Sequence, residues 1–242
     1  LLYSFVCSSS GKLNQRKFSD SILAFKVHKL KPGNSILIHS ATGGIGLAAL
    51  NICTHYKCDI YVTVGTEDKK TYLRKHYPHI PSNHIGNSHD TSFEDMIKTE
   101  TEGQGVDIVL NSLSDDKLKA SIRCLARGGR FMEIGKFDLS NNTSLQLLVM
   151  EKQAHFSGIM LDQVFLSSRE NKEKIAKALN DGLTTGFIKP LPRVVFQPTE
   201  VEKSYRFMMT GKHIGKVLVK IRDEEKDRSV VPETTKFLVT PR

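Results

Sequence analysis

Ala41, Gly43 and Gly46 are small residues at the spacing A-x-G-x-x-G, placed where the apolar run SILIHS gives way to a stretch of helical periodicity. Small side chains there let the backbone turn tightly and come within reach of a pyrophosphate. The helix behind offers unpaired N–H groups and the positive end of its dipole. Thr42, Gly44 and Ile45 fill the rest of that loop and belong to the same candidate phosphate grip. A glycine at a turn is most often only a turn, so the motif draws its weight from the strand before it and the helix after it.

Two cations could extend the grip. About twenty residues past such a loop, a site that reads a free ribose places an Asp or Glu. Gly65 and Thr66 stand at that point instead, followed by EDKK. Lys69 and Lys70 could reach a ribose 2′-phosphate, while Glu67 and Asp68 suit the first turn of a helix in their own right. The charge pattern favours NADPH over NADH, against the plainer reading of two solvated helix lysines. Lys136, in EIGKFD, and Asp162, after FSGIML, each fall where an apolar run ends. That is the edge at which open parallel sheets bind their ligands. An ammonium there could steady a developing oxyanion or deliver a proton, and a desolvated carboxyl could keep its proton for the same use. The plain alternatives are a lysine that merely ends a strand and a loop or capping aspartate.

The elements that must position these residues follow a regular rhythm. After SILIHS, the runs DIYVTVG, GVDIVLNS, GGRFMEIG and AHFSGIML read as strands. Helices are expected between them over 46–56, 67–76, from DTSFEDMI onward with a Thr91/Glu94 capping box, over 115–125 and at LQLLVMEK. Strand and helix alternating in this way give an α/β fold with a Rossmann-type, doubly wound parallel sheet covered on both faces. From about Leu166 the rhythm changes. A helix over 168–179 leads to the extended, proline-marked IKPLPRVVF. Then come a helix in TEVEKSYRFMMTG, with a Thr199/Glu202 capping box and Gly211 as its stop, and the strand KVLVKI.

Composition excludes some classes of function. The chain has 242 residues, 39% of them hydrophobic and 25% charged, which is ample for a buried core. No apolar run reaches the eighteen residues of a membrane span, and the start LLYSFVCSSSGKLNQRKFSD lacks the basic region and cleavage site of a signal peptide. Cys7, Cys53, Cys58 and Cys124, with nine scattered histidines, show no metal-ligand spacing. They read as reduced thiols of a cytoplasmic protein. The net charge of +9 is interleaved with acids, as in EDKKTYLRKH, so it reads as a solvated basic surface rather than a nucleic-acid footprint.

SILIHSATGGIGLAAL, VTVGTEDKKTYL, NSHDTSFEDMI, GVDIVLNSL, GGRFMEIGKFDLSNN and GKHIGKVLV occur in this order. Together they resemble the enoyl reductase region of animal-type (type I) multifunctional fatty acid synthase, a member of the medium-chain dehydrogenase/reductase superfamily. The likeness covers residues 19–221, and the reductase of modular polyketide synthases is the near alternative. The resemblance implies an irregular lead with a connecting-helix remnant over 1–34 and an NADPH-binding Rossmann domain over 35–166. It further implies a C-terminal return toward an incomplete β-rich substrate domain over 167–222, and a linker over 223–242. A segment cut from a larger synthase is expected.

The implied reaction is NADPH-dependent reduction of trans-2-enoyl thioesters on an acyl carrier protein, without zinc. Lys136 matches the family's proton-donor candidate and Asp162 its second candidate. Asn111, Ser112 and Leu113 match the loop beside the nicotinamide ribose, Gly135 leaves room for the cofactor, and Lys212 lies in a segment near it. The implied partners are the carrier-protein substrate, other synthase domains and a second copy in a homodimeric parent, with no nucleic acid or membrane. A non-catalytic NADPH-binding fragment, a quinone-reductase-like protein and RNA binding remain open as alternatives.

Overall fold

The computed structural model describes residues 30–145, 148–159 and 168–220. Asp162, the connecting-helix remnant before Leu30 and the expected linker lie outside these residues. The order along the chain is β1 (Ser35–Ile38), α1 (Gly44–His55), β2 (Asp59–Val64), α2 (Glu67–His76), β3 (Ile85–Asn87) and α3 (Phe93–Glu100). It continues with β4 (Val106–Asn111), α4 (Asp116–Arg123), β5 (Leu125–Glu133), α5 (Lys136–Asn141), α6 (Leu148–Glu151) and β6 (His155–Gly158). Then follow α7 (Arg169–Thr184), β7 (Arg193–Phe196), α8 (Val201–Met209) and β8 (Lys216–Val219).

Six strands form one sheet in the order β3-β2-β1-β4-β5-β6, and every pairing in it is parallel. This is the doubly wound arrangement, whose order runs outward in both directions from the β1/β4 junction. The side-chain period of two explains why β1 is apolar throughout. Ile36 and Ile38 pack into one cluster with Leu47, Leu50 and Val62, while Leu37 joins Phe93, Val109 and Phe131 in another. Phe93 is fully buried, which stabilises the fold by about 2–3 kcal/mol relative to an exposed ring.

Two capping expectations are corrected, and one strand is present that the sequence pattern did not show. β3 has only three residues, too few to show a period of its own. The cap of α3 is Ser92 without a side-chain bond, and Glu94 does not close a capping box. Its carboxylate instead receives Arg123 Nε and Nη2 at 2.8 and 2.6 Å and Lys98 at 2.8 Å. Before α8 the reciprocal capping pair is Gln197 and Glu200, around a short 3-10 turn, rather than Thr199 and Glu202. Gly211 does stop α8, with a φ of +65°.

β7 and β8 form a separate two-stranded parallel sheet, carrying Phe196 and Val217 against Met208 of α8. Its approach to β8 touches the large sheet's glycine turn: Gly215 pairs with Gly43 in an isolated parallel bridge, and Gly215 N donates to Thr42 O at 2.8 Å. Among the described residues no helix is long and apolar enough to cross a membrane.

Candidate functional site

A cleft of about 210 Å³ opens beside the carboxyl ends of β1, β4 and β5, with Ser40, Gly43, Ser112, Ile134, Met208 and His213 among its lining. It therefore sits at the junction where the strand order reverses, the position at which open α/β sheets take ligands.

The glycine turn provides one wall. Gly43, Gly44, Ile45 and Gly46 all line the cleft. Gly43 is the cap of α1 without a side-chain bond, and the helix has no acid in its first turn. The positive end of its dipole is thus met by no side-chain cap and no acid of its own, which favours an anion there. A Cβ on Gly46 would stand 2.6 Å from the Cα and carbonyl oxygen of Ala41, so glycine is required for α1 to approach the end of β1. Ala41 is fully buried there, and Thr42 presents a buried hydroxyl with no hydrogen-bond partner. An uncapped helix start, a turn that only small residues can make and an orphan hydroxyl fit the pyrophosphate of a dinucleotide.

The end of β2 supplies the cations. Thr66 caps α2 by accepting from Lys69 N at 3.4 Å. Lys69 Nζ reaches across to donate to Gly211 O at 2.6 Å, and burial lowers its pKa from the ordinary lysine value. His213, which lines the cleft, has its pKa lowered by burial and by the charge of Lys69, and its Nδ1 has no partner. Lys70 pairs with Glu67 at 3.7 Å. The two lysines therefore differ: Lys69 turns toward the cleft's return segment, Lys70 along its own helix. Lys212 is exposed next to His213, and its amide donates to Thr210 Oγ1 at 3.3 Å.

His39 also borders the cleft, and burial holds its pKa down at about 3. Ser121 Oγ donates to Lys117 O at 2.6 Å, so it accepts from His39 Nε2 at 2.8 Å. Nδ1 then accepts from Thr63 Oγ1 at 2.9 Å. The ring is a neutral structural link.

The ends of β4 and β5 carry the remaining candidates. Asn111 is fully buried; its Nδ2 donates to Leu113 O at 2.7 Å, and its Oδ1 accepts from Leu113 N at 3.2 Å. That bracket shapes the loop that offers Ser112 to the cleft, where Ser112 Oγ stands 3.3 Å from Ser40 Oγ. Lys136 begins α5, exposed, two residues after the cleft-lining Ile134. Gly135 has ordinary extended φ and ψ of −74° and 132°, so no special bend explains it. The space a side chain would fill is taken by Glu133, whose Oε1 would lie 2.7 Å from the added Cβ.

Glu133 is the residue that the sequence reading passed over. It is buried at the end of β5, where burial pushes its carboxyl up to about 7. Its signal is a single acid in the apolar run FMEIG. Among the described residues, no group of three or more His, Cys, Asp or Glu side chains is placed to hold a metal ion.

A six-stranded doubly wound sheet with an uncapped, glycine-led helix facing a cleft at the strand-order reversal defines a dinucleotide-binding α/β protein. The chain belongs to the zinc-binding dehydrogenase family, whose model matches residues 82–219, and within that superfamily it matches enoyl reductases. Among solved structures it is similar to the nucleotide-binding subdomain of the enoylreductase domain of PpsC from Mycobacterium tuberculosis. That likeness has 33% identity and a TM-score of 0.66, over 73% of this chain and 97% of that one. It is also similar to CurK enoyl reductase, at 31% identity and a TM-score of 0.74, over 84% of this chain and 60% of that one. Curated relatives include the highly reducing polyketide synthase sphB of Aspergillus fumigatus, 38% identical over 88% of this chain. Another is the highly reducing polyketide synthase gloL of Glarea lozoyensis, 42% identical over 85% of it. The chain spans 8% of the length of each of these two synthases. The family's description names zinc, but the described side chains do not assemble a zinc site.

Proposed function

We propose that the chain is the cofactor-binding part of an enoyl reductase domain from a polyketide-type synthase, reducing trans-2-enoyl thioesters with NADPH. The uncapped glycine turn facing the cleft carries this reading, in a chain whose relatives include highly reducing polyketide synthases. Those relatives favour the polyketide alternative over the animal fatty acid synthase that the sequence motifs suggest.

When bound, the nicotinamide supplies the hydride for the β-carbon of the enoyl group. The loop 43–46 and the start of α1 hold the pyrophosphate. Lys69, released from Gly211 O, neutralises the 2′-phosphate. Negative charge develops on the thioester oxygen, and Lys136 at the start of α5 stabilises it or gives the proton that ends on the α-carbon. Asp162 is retained as a second proton-carrying candidate. The acyl chain arrives on a carrier protein, within a larger cytoplasmic synthase.

Fluorescence titration of the 242-residue chain with NADPH and NADH tests the cofactor, and equal affinities would remove the 2′-phosphate reading. NADPH oxidation with a crotonyl pantetheine thioester tests the reaction. Lys136→Ala is expected to lower turnover about 100-fold while changing the NADPH dissociation constant less than about twofold. Binding without any turnover would favour the second reading, a dinucleotide-binding part that needs the rest of the reductase. The 60% coverage of CurK enoyl reductase makes that reading concrete.

A further inference from the structure

The last rung between β4 and β5 pairs Asn111 with Glu133, and the Ile134 N to Asn111 O bond at 3.0 Å closes the ladder. Beyond it the two backbones part, one into the 111–113 loop and the other into the turn before α5. There the side chains of Asn111 and Glu133 join them. Glu133 Oε2 accepts from Asn111 Nδ2 at 2.6 Å, and Oε1 accepts from Gly135 N at 2.5 Å. With the Asn111–Leu113 bracket, an unbroken run of hydrogen bonds extends from Leu113 to Gly135. Each carboxylate oxygen faces an N–H, so an amide at position 133 would aim one of its own hydrogens at a donor.

Stability does not explain the acid. Burial opposes its charge and the nearby Asp138 opposes it further, and the hydrogen bonds from Asn111, Gly135 and Ile134 offset this only in part, in a strand that is otherwise apolar at this depth. Local rules broken in this way without a stability gain point to a site. We propose that Glu133 is a positioning residue: its carboxylate latches the 111–113 loop to the Gly135–Lys136 turn and so sets how Ser112 and Ile134 line the cleft and where Lys136 begins α5 beside them. Its functional meaning rests on the cofactor reading above; its geometry does not.

The test exchanges donors and acceptors. Glu133→Gln leaves two facing donors, whereas Asn111→Asp with Glu133→Gln restores the bond between positions 111 and 133, though it gives up the Nδ2 bond to Leu113 O. In that pair the introduced glutamine amide donates to the new carboxylate while its oxygen still accepts from Gly135. Amide hydrogen exchange of the ligand-free chain at about pH 8.5, where a carboxyl raised to about 7 is ionised, is the first readout, on peptides covering 111–114 and 134–137. Glu133→Gln is expected to speed exchange in both peptides about tenfold, and the exchanged pair to return the 134–137 peptide to within about threefold of the starting chain, the 111–114 peptide staying faster for want of the bond to Leu113 O. NADPH affinity is expected to fall in Glu133→Gln and to recover in part in the pair. Unchanged exchange in Glu133→Gln, or no recovery of the 134–137 peptide in the pair, overturns the latch. Should Glu133→Gln alone fail to fold, the melting temperature of Asn111→Asp decides: adding Glu133→Gln must raise it, and a further drop overturns the proposal. A chain that shows this exchange pattern but binds no nicotinamide cofactor keeps the latch and loses the functional reading.

Discussion

Gly46 and Lys69 illustrate how differently two residues of one grip are fixed. Gly46 is set by backbone sterics, because any Cβ collides with Ala41 at 2.6 Å. Gly46→Ala is expected to push α1 away from β1, at a cost of about 1–3 kcal/mol. A lower melting temperature together with weakened NADPH binding would show it, and unchanged binding would mean that α1 does not hold the pyrophosphate. Lys69 is set by charge, its half-buried ammonium resting on Gly211 O. Desolvation lowers its pKa, so an incoming phosphate gives it a better partner than a carbonyl. Lys69→Ala is expected to weaken NADPH about tenfold or more and to leave NADH within about twofold, since charge-assisted bonds contribute about 1.5–3 kcal/mol. Parallel titrations measure the ratio, and an equal loss for both cofactors would assign Lys69 to packing. The motif was legible because it depends on neighbouring residues in sequence. Glu133 was not, because the feature that singles it out is its pairing with Asn111 across two strands.

Elements show the same division between local and cross-chain information. β1, β2 and β4 were readable as apolar runs because a parallel sheet buried on both faces needs them. The three residues of β3 are held instead by pairing with β2, which no pattern within IGN could reveal. The capping boxes fail for a related reason: Glu94 has the right spacing from Thr91, but Arg123 on α4 offers a stronger partner across the sheet face. That pair ties α3 to α4 and has a pH signature. The Arg123 hydrogen bonds, against burial and helped by Lys98, hold the Glu94 carboxyl down at about 2. A depressed acid contributes stability that is complete above its unfolded pKa and disappears as pH falls through the folded value. Stability from this pair is therefore lost between about pH 4.5 and pH 2, by an amount on the order of 2 kcal/mol. Urea denaturation across that window should show the decline in the starting chain and a smaller one in Glu94→Gln. Identical pH slopes would exclude the pair as its source.

At the scale of the whole molecule, the cleft exists because two separate sheets meet. The six-stranded sheet brings the glycine turn and the ends of β4 and β5. The segment approaching β8 brings His213 and the bridge from Gly215 to Gly43. A ligand filling the cleft touches both, so binding couples the return segment to the dinucleotide sheet. Gly215 is the joint. Its φ is +74°, and a Cβ there would fall 2.0 Å from Pro192 O, so a side chain cannot be accommodated without moving the segment. NADPH at about one hundred times its dissociation constant stabilises a folded chain by about 2.7 kcal/mol, which raises the melting temperature by roughly 5–10 °C at this size. Gly215→Ala is expected to cut that rise to less than about half, because the far wall no longer sits against the turn. Leu191 and Ile214 beside this joint pack on the large sheet's core, but β1, β2, β4 and α1 form most of it, so the far-ultraviolet spectrum of the variant should keep its α/β signature. A full NADPH-induced rise in Gly215→Ala would mean that the six-stranded sheet binds the cofactor alone, and the return segment would then be assigned to the acyl side of the site.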